Sequence, residues 1–452
     1  MTDELDALLA AVHAAPGDLT ARLVYADALQ QRGDPLGEYL AVQCRLDGMP
    51  QTDPAWPLLR RRAHQLRAEH GARWDAHRLG QAAHPEPTSS PRQLAAQLPA
   101  YPAIRSAYVY AIHEPLELLV DLGQVTELSV QSRESPARWL ASGVADRVQR
   151  LRLEADARWI EDLPRLPALE ALTLQMWTRR RAVPIPRLPD LASGLRELAL
   201  LHVDIPATAL RETRDACSQL EKLVISGMNG DAALALAGAA PRLRELALLG
   251  ARDLGTRLAA LPALGQLRSL VLAGTAIGGD VLSRLLPRLS AVEELDLSNC
   301  RLDATAARLL ATWSGLPRVH ALDLSLNPLG DGARAFADTV ARPRRLVLNG
   351  CAIGDAGAAA IATCIDHTFV LGLERCGLTE RGLAALVSHF GPRLLALDLR
   401  HNPLGAAGHA LLIEAPRAFE PLALRISPVR KLNDAPLWAR YGGARRFERH
   451  AL

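Results

Sequence analysis

The feature that most constrains this chain is self-similarity: a phrase of the form apolar-x-x-Leu-x-Leu-x-x-Asn/Cys-x-Leu returns about every 25 residues. Val292–Leu302 reads VEELDLSNCRL, Val319–Leu329 reads VHALDLSLNPL and Leu394–Leu404 reads LLALDLRHNPL, and the three superpose without gaps. The same frame fits segments starting at Leu195, Leu220, Leu243 and Leu267. Weaker copies start at Ile104, Val125, Val148 and Leu169 upstream, and RRLVLNGCAI, VLGLERCGL and PLALRIS continue the series downstream. About a dozen or more turns result, and a unit this short buries its apolar face only by stacking on its neighbours.

Leu-x-Leu places two leucines on one face of a short strand and the intervening residue on the other. The Asn or Cys that follows (Cys300, Asn327, Cys351, Cys376, Asn402) falls where the chain leaves the strand, so its side chain is expected to satisfy loop backbone groups. Helical segments come next: DATAARLLATW from Asp303, DGARAFADTVA from Asp331, DAGAAAIATCI from Asp355 and TERGLAALVSHF from Thr379. Their leading Asp or Thr is expected to act as an N-cap. Aromatic residues make up only 4% of the chain while apolar residues reach 49%. The core must therefore be built from repeated Leu, Ala and Val layers.

On these phrases the array resembles the leucine-rich-repeat family, and its strand-then-helix turns are most similar to the ribonuclease-inhibitor type. The resemblance spans roughly residues 100–428. It implies an α/β horseshoe solenoid with a parallel concave sheet and helices outside. The first copies lack the Asn/Cys, and the spacing is irregular around Trp177–Pro189.

Residues 1–81 read differently, as a small all-α domain. Helix signals stand at Thr2, Asp18 and Asp34-Pro35, and Gly33 suits a C-terminal cap. The words ARLVYADALQQRGDPLGEY resemble the repeat-companion domain found at the N-terminus of bacterial repeat proteins, with Ala28 where that family has Trp. That resemblance implies kinship and no chemistry. A basic helix, LLRRRAHQLRAEHGARWDAHRLG, leads into a linker at 82–99 containing AAHPEPTSSPR, and the tail at 429–452 is expected to cap the last turn.

Acids and bases nearly balance, with a net charge of +3, so nothing points to nucleic acid as a partner. Almost every basic residue is Arg, Lys occurring only at Lys222 and Lys431, and this bias suggests a GC-rich, bacterial coding sequence. Six scattered cysteines form no CxxC pair and read as free thiols. The acidic start MTDELDALLAAVHAA does not resemble a secretory signal, and no uninterrupted apolar run of about 18 residues offers a membrane span. The cytoplasm is the expected location. The histidines show no HExxH spacing, and GMNGDAALALAG lacks the lysine of a phosphate loop, so neither metal nor cofactor is expected. Asp27, Arg32, Asp34 and Glu38 could form a polar site in the first domain, but helix faces and caps explain their placement equally well.

The concave sheet, with strands about 4.8 Å apart over a dozen turns, should offer roughly 60 Å of surface. The residue between the two leucines of each turn faces it: Ala199, Val224, Ala247 and Val271 form an apolar run enlarged by Leu201 and Leu249, with Val347, Gly372 and Asp398 further along. Exposed apolar patches mark interaction sites, although small residues also suit a curved sheet. Asp296 and Asp323 should be cross-strand neighbours with Glu294 close by, an acidic flank that would fit a basic partner surface. Arg150 and Arg152 offer an upstream basic pair. The expectation is a non-catalytic scaffold that binds a protein on its concave face. The alternative is regulation of a partner enzyme, such as GTPase activation.

Overall fold

A computed structural model of the chain describes residues 2–14, 18–49, 53, 55–74, 90–92, 106–111, 125–132, 135, 137, 140, 146–155, 163–176, 194–203, 205, 210–211, 214, 216–251, 253–339 and 342–427. Most of the linker at 82–99, the irregular stretch 177–189, the copy start at Ile104 and the tail at 429–452 lie outside the described residues. The chain divides into two units, Met1–Met228 with Ala239–Arg242, and Asn229–Gly238 with Leu243–Leu452.

The first unit begins with four helices, α1 (Thr2–Ala14), α2 (Leu19–Gln31), α3 (Pro35–Gly48) and α4 (Trp56–Trp74). Their ends follow the local chemistry. The Asp18 carboxylate accepts from the Thr20 and Ala21 backbone N–H groups, and Asp34 accepts from Leu36 with Pro35 at the first helical position. Gly33, at φ +71°, closes α2 in the left-handed region. Val12, Tyr25, Leu29, Leu36 and Leu66 form the core of this bundle. Gly37 allows α3 to rest on α2, since a Cβ there would stand 2.5 Å from the Ala26 carbonyl oxygen.

Six parallel strands follow in chain order: β1 (Ser106–Ala111), β2 (Glu127–Ser132), β3 (Arg150–Ala155), β4 (Ala171–Met176), β5 (Glu197–Leu201) and β6 (Lys222–Ser226). The register pairs leucine with leucine. Leu151 lies beside Leu172, 21 residues on, and Leu172 beside Leu198, 26 residues on. The uneven spacing is thus absorbed between the strands. Buried and half-buried residues alternate along β5 and β6, as Leu-x-Leu requires.

Among its described residues the second unit carries eight strands, β7 (Glu245–Leu249), β8 (Ser269–Val271), β9 (Glu294–Asp296), β10 (Ala321–Asp323), β11 (Arg345–Val347), β12 (Val370–Gly372), β13 (Ala396–Asp398) and β14 (Ala423–Arg425), again parallel and in chain order. α5 (Gly230–Gly238) precedes β7, and between the strands run α6 (Gly278–Leu285), α7 (Ala304–Thr312), α8 (Gly354–Ala362), α9 (Glu380–Val387) and α10 (Gly405–Ile413). Strand residues Leu322 and Leu346, with Leu348 just past β11, line one small interior space with Phe336, Ile361 and Cys364 on the helical side. The apolar layer therefore lies between sheet and helices, and the other sheet face is open.

The Asn/Cys position is a ladder of buried hydrogen bonds. Asn327 Nδ2 donates to the carbonyl of Leu297 in the preceding turn at 2.7 Å, and its Oδ1 accepts from the N–H groups of Cys300 (2.9 Å) and Leu302 (3.0 Å). Asn402 repeats the pattern against Leu373, Cys376 and Leu378. At the cysteine positions the thiols of Cys300, Cys351 and Cys376 each donate to the preceding turn's carbonyl at 3.0 Å. None of the six cysteines is in a disulfide, and all six are buried.

Two helix starts differ from the sequence expectation. Asp303 and Thr379 do cap α7 and α9. Asp331 and Asp355 do not cap their own segments, because Gly330 (φ +47°) and Gly354 (φ +61°) bring the chain in through the left-handed region and leave each Asp inside the first turn. The Asp331 segment is a 3-10 helix, Gly330–Asp338, in which Gly332 leaves no room for a Cβ against the Ala304 backbone. Asp355 instead accepts from the backbone N–H (2.7 Å) and hydroxyl (2.6 Å) of Thr379 in the next turn.

Candidate binding surfaces on the open sheet face

In the first unit, strand register sets Thr173, Ala199 and Val224 side by side on the open face, with Leu201 beside Ser226. Ala199, Leu201 and Val224 are half-buried there. Next to them Arg150 on β3 spans the small Ala171 of β4 and makes two hydrogen bonds to Glu197 on β5, at 3.0 and 2.7 Å. The Arg150 hydrogen bonds hold the Glu197 carboxyl below its usual range. Arg152 donates to Gln175 at 2.7 Å and lies 3.1 Å from Glu154. A shallow cavity of about 180 Å³ opens between these side chains, with Thr173, Ala199 and Val224 in its lining.

In the second unit one file of the open face reads Ala247, Val271, Asp296, Asp323, Val347, Gly372, Asp398 and Arg425 across successive strands. Ala247, Leu249, Val271, Asp296 and Asp323 are half-buried, and Glu294, two residues before Asp296 on the same strand face, is exposed. The expected neighbours Asp296 and Asp323 do lie together. Each also has a local partner, because Asp296 accepts from the Ser298 N–H (2.8 Å) and Asp323 from the Ser325 N–H (2.9 Å). Burial pushes the Asp323 carboxyl up, with a smaller push from Asp296, against the Ser325 hydrogen bonding and the Arg345 guanidinium 3.9 Å away.

Val347, Gly372 and Asp398 share this face but are buried, in contrast to the exposed positions that the repeat pattern predicts. At Asp398 long arginines account for it. Arg400 donates to Asp398 at 2.9 and 2.7 Å and to Glu374 at 2.9 Å, while Arg425 lies 3.7 Å from Asp398. A cavity of about 230 Å³ opens here, lined by Asp323, Arg345, Asn349, Gly372, Arg400 and Arg425 among others. Among the described residues no group of three His, Cys, Asp or Glu could hold a metal, and no helix is long and apolar enough to cross a membrane.

A leucine-rich-repeat family model matches residues 344–362, the turn that contains β11 and α8. The chain is 29% identical over 232 residues to the ribonuclease inhibitor of Sus scrofa, an alignment covering 41% of this chain and 48% of that protein. With the leucine register and the Asn/Cys ladder, these matches decide the architecture. The chain folds as a leucine-rich-repeat solenoid. It spans about half the length of that ribonuclease inhibitor. Among solved structures, the yeast Rad7–Elc1 complex is similar at 16% identity and a TM-score of 0.44, over 68% of this chain and 79% of that one. An internalin of Listeria monocytogenes is similar at 14% identity and a TM-score of 0.40, over 71% and 84%.

Reading the repeat as a pattern missed the arginines that gather at β11–β14. A signal was present, because Arg400 stands in LDLRHN where the aligned copy has LDLSLN, and Gly372 stands where other copies carry Asp or Val. What pattern alone lacked was the reach of Arg across one or two strands.

Proposed function

We propose that this leucine-rich-repeat chain is a non-catalytic scaffold that binds a protein partner on the concave, open face of its sheet. The observation that carries this reading is the file of half-buried apolar side chains standing in register on that face, Ala199 with Val224 in one unit and Ala247 with Val271 in the other. Leu201 and Leu249 widen the two patches, and Glu294, Asp296 and Asp323 supply an acidic border. Apolar residues on an open face release water when a complementary surface covers them. A relative named for inhibiting a ribonuclease is in keeping with a chain that acts by engaging a protein. In the same reading the chain works in the cytoplasm of a bacterium and the repeats occupy 100–428. The repeat-companion-like helices of 1–81 then serve as a cap or second docking module behind the linker at 82–99, and 429–452 closes the array.

The test is affinity capture from the native cell with the wild-type chain and with Val224→Arg, Ala247→Arg and Asp323→Arg. Loss of a specific co-purifying protein in at least one variant that keeps its thermal midpoint is the expected result. Retention of every captured protein by all three variants refutes the concave-face reading.

A further inference from the structure

The cavity at β11–β14 has a chemistry of its own. It exists because Gly372 carries no side chain where its neighbours do, and a Cβ there would stand 2.7 Å from Val347 Cγ1 and 3.0 Å from Asn349 Oδ1. Small Ala396 and Ala423 keep the adjoining floor low. Two carboxylates (Asp323, Asp398) and three guanidinium groups (Arg345, Arg400, Arg425) border it, and Glu374, which Arg400 also reaches at 2.9 Å, brings the local charges into balance. Asp398 is already engaged by Arg400 through both its oxygens.

The unused hydrogen-bonding capacity is mostly donor. Asn349 Oδ1 accepts from the Glu374 N–H at 2.8 Å, and its amide Nδ2 hydrogens bond to none of the described residues. The Arg345 guanidinium stands 3.9 Å from Asp323, beyond hydrogen-bond length, and makes no hydrogen bond among the described residues. A guanidinium fork and an amide donor lining one cavity offer donors suited to a carboxylate, which accepts through two oxygens.

We propose that this cavity seats an acidic side chain, Asp or Glu, of the protein partner, with the Arg345 guanidinium and the Asn349 amide donating to its carboxylate. The assignment rests on the docking reading above and adds the chemistry of one anchor: partners present a carboxylate to β11–β14.

The test uses the full chain and a fluorescent, end-capped hexaglutamate peptide, with anisotropy read at low salt. Hexalysine and inorganic phosphate serve as comparison and competitor. Arg345→Glu reverses the charge at an exposed position. Asn349→Asp keeps the acceptor for the Glu374 N–H while replacing the donors with an acceptor. Arg308→Glu, at an exposed position of α7, makes the same charge change as Arg345→Glu but elsewhere.

The expected result is hexaglutamate binding weakened by about tenfold or more in Arg345→Glu and in Asn349→Asp, and unchanged in Arg308→Glu. The proposal is overturned if the wild-type chain does not bind hexaglutamate, or if Arg308→Glu weakens it as much. It is also overturned if free phosphate competes as well as the peptide, which would make the cavity a free-anion site. If hexaglutamate binding ignores Arg345 while Val224→Arg or Ala247→Arg still strips the captured partner, the anchor fails and the docking surface stands. If hexaglutamate binding needs Arg345 but no captured protein depends on Val224, Ala247, Asp323 or Arg345, the docking reading falls, and the protein anchor with it.

Discussion

Replacing Asn327 with Ala removes a side chain that is fully buried and serves three backbone groups with no other hydrogen-bond partner among the described residues. The Cys300 and Leu302 N–H groups lose their acceptor, and the Leu297 carbonyl loses its donor. The Leu324 carbonyl, which Asn327 also serves at 2.8 Å, keeps the Cys351 thiol at 3.0 Å. At about 1–3 kcal/mol for each orphaned buried group, and allowing for partial rescue by water, the expected loss is about 3–6 kcal/mol. Asn327→Cys is the informative companion. A thiol there would restore a donor to Leu297, as Cys351 does for Leu324, and it should recover a large part of the loss.

Because a repeat array can open locally, the assay is alkylation of the buried thiols under native conditions, resolved by peptide mass. Burial raises the Cys300 and Cys376 thiols from 9.0 to about 12 and Cys351 to about 11, so the closed form reacts very slowly. Labelling therefore reports opening. In Asn327→Ala, Cys300 and Cys351 should label faster by about two to four powers of ten, while Cys217, in the other unit, changes far less. Equal labelling of Cys300 in Asn327→Ala and wild type, together with an unchanged urea midpoint, would refute the claim that this side chain carries the turn.

Three further outcomes follow from the same contacts. Burial raises the Asp323 carboxyl in the folded chain, so its ionised form costs stability at neutral pH, and the cost vanishes below the ordinary carboxylate range, where folded and unfolded chains are both protonated. Asp323→Asn should therefore stabilise at pH 7 by about 0.2–1 kcal/mol, with the gain shrinking on acidification in urea melts across pH. Gly37→Ala drives a Cβ into the backbone of α2 and should cost about 1–3 kcal/mol, read as a lower helical melting midpoint by circular dichroism. Asp355→Ala removes both bonds to Thr379 and should cost about 1–2 kcal/mol, seen as faster amide exchange across the first turn of α9; Asp355→Asn should recover part of it.

The amino-acid pattern alone determined the architecture of this chain. Leu-x-Leu admits only one strand face for its leucines, a repeat this short can bury that face only against the next copy, and the Asn/Cys slot answers to backbone groups within its own and adjoining turns. Those requirements act over a few residues, so Leu322, Asn327 and Asp303 could be assigned their places before any coordinates. The side-chain partners were decided by the tertiary structure. Arg150 meets Glu197 from 47 residues away because two parallel strands bring both beside Ala171. Asp355 serves Thr379 because a left-handed glycine moves it past its own helix start. The cavity at β11–β14 depends on one missing Cβ at Gly372 and on arginines long enough to reach across strands. A periodic sequence specifies which face a residue takes; what a long charged side chain touches there depends on neighbours that only stacking supplies.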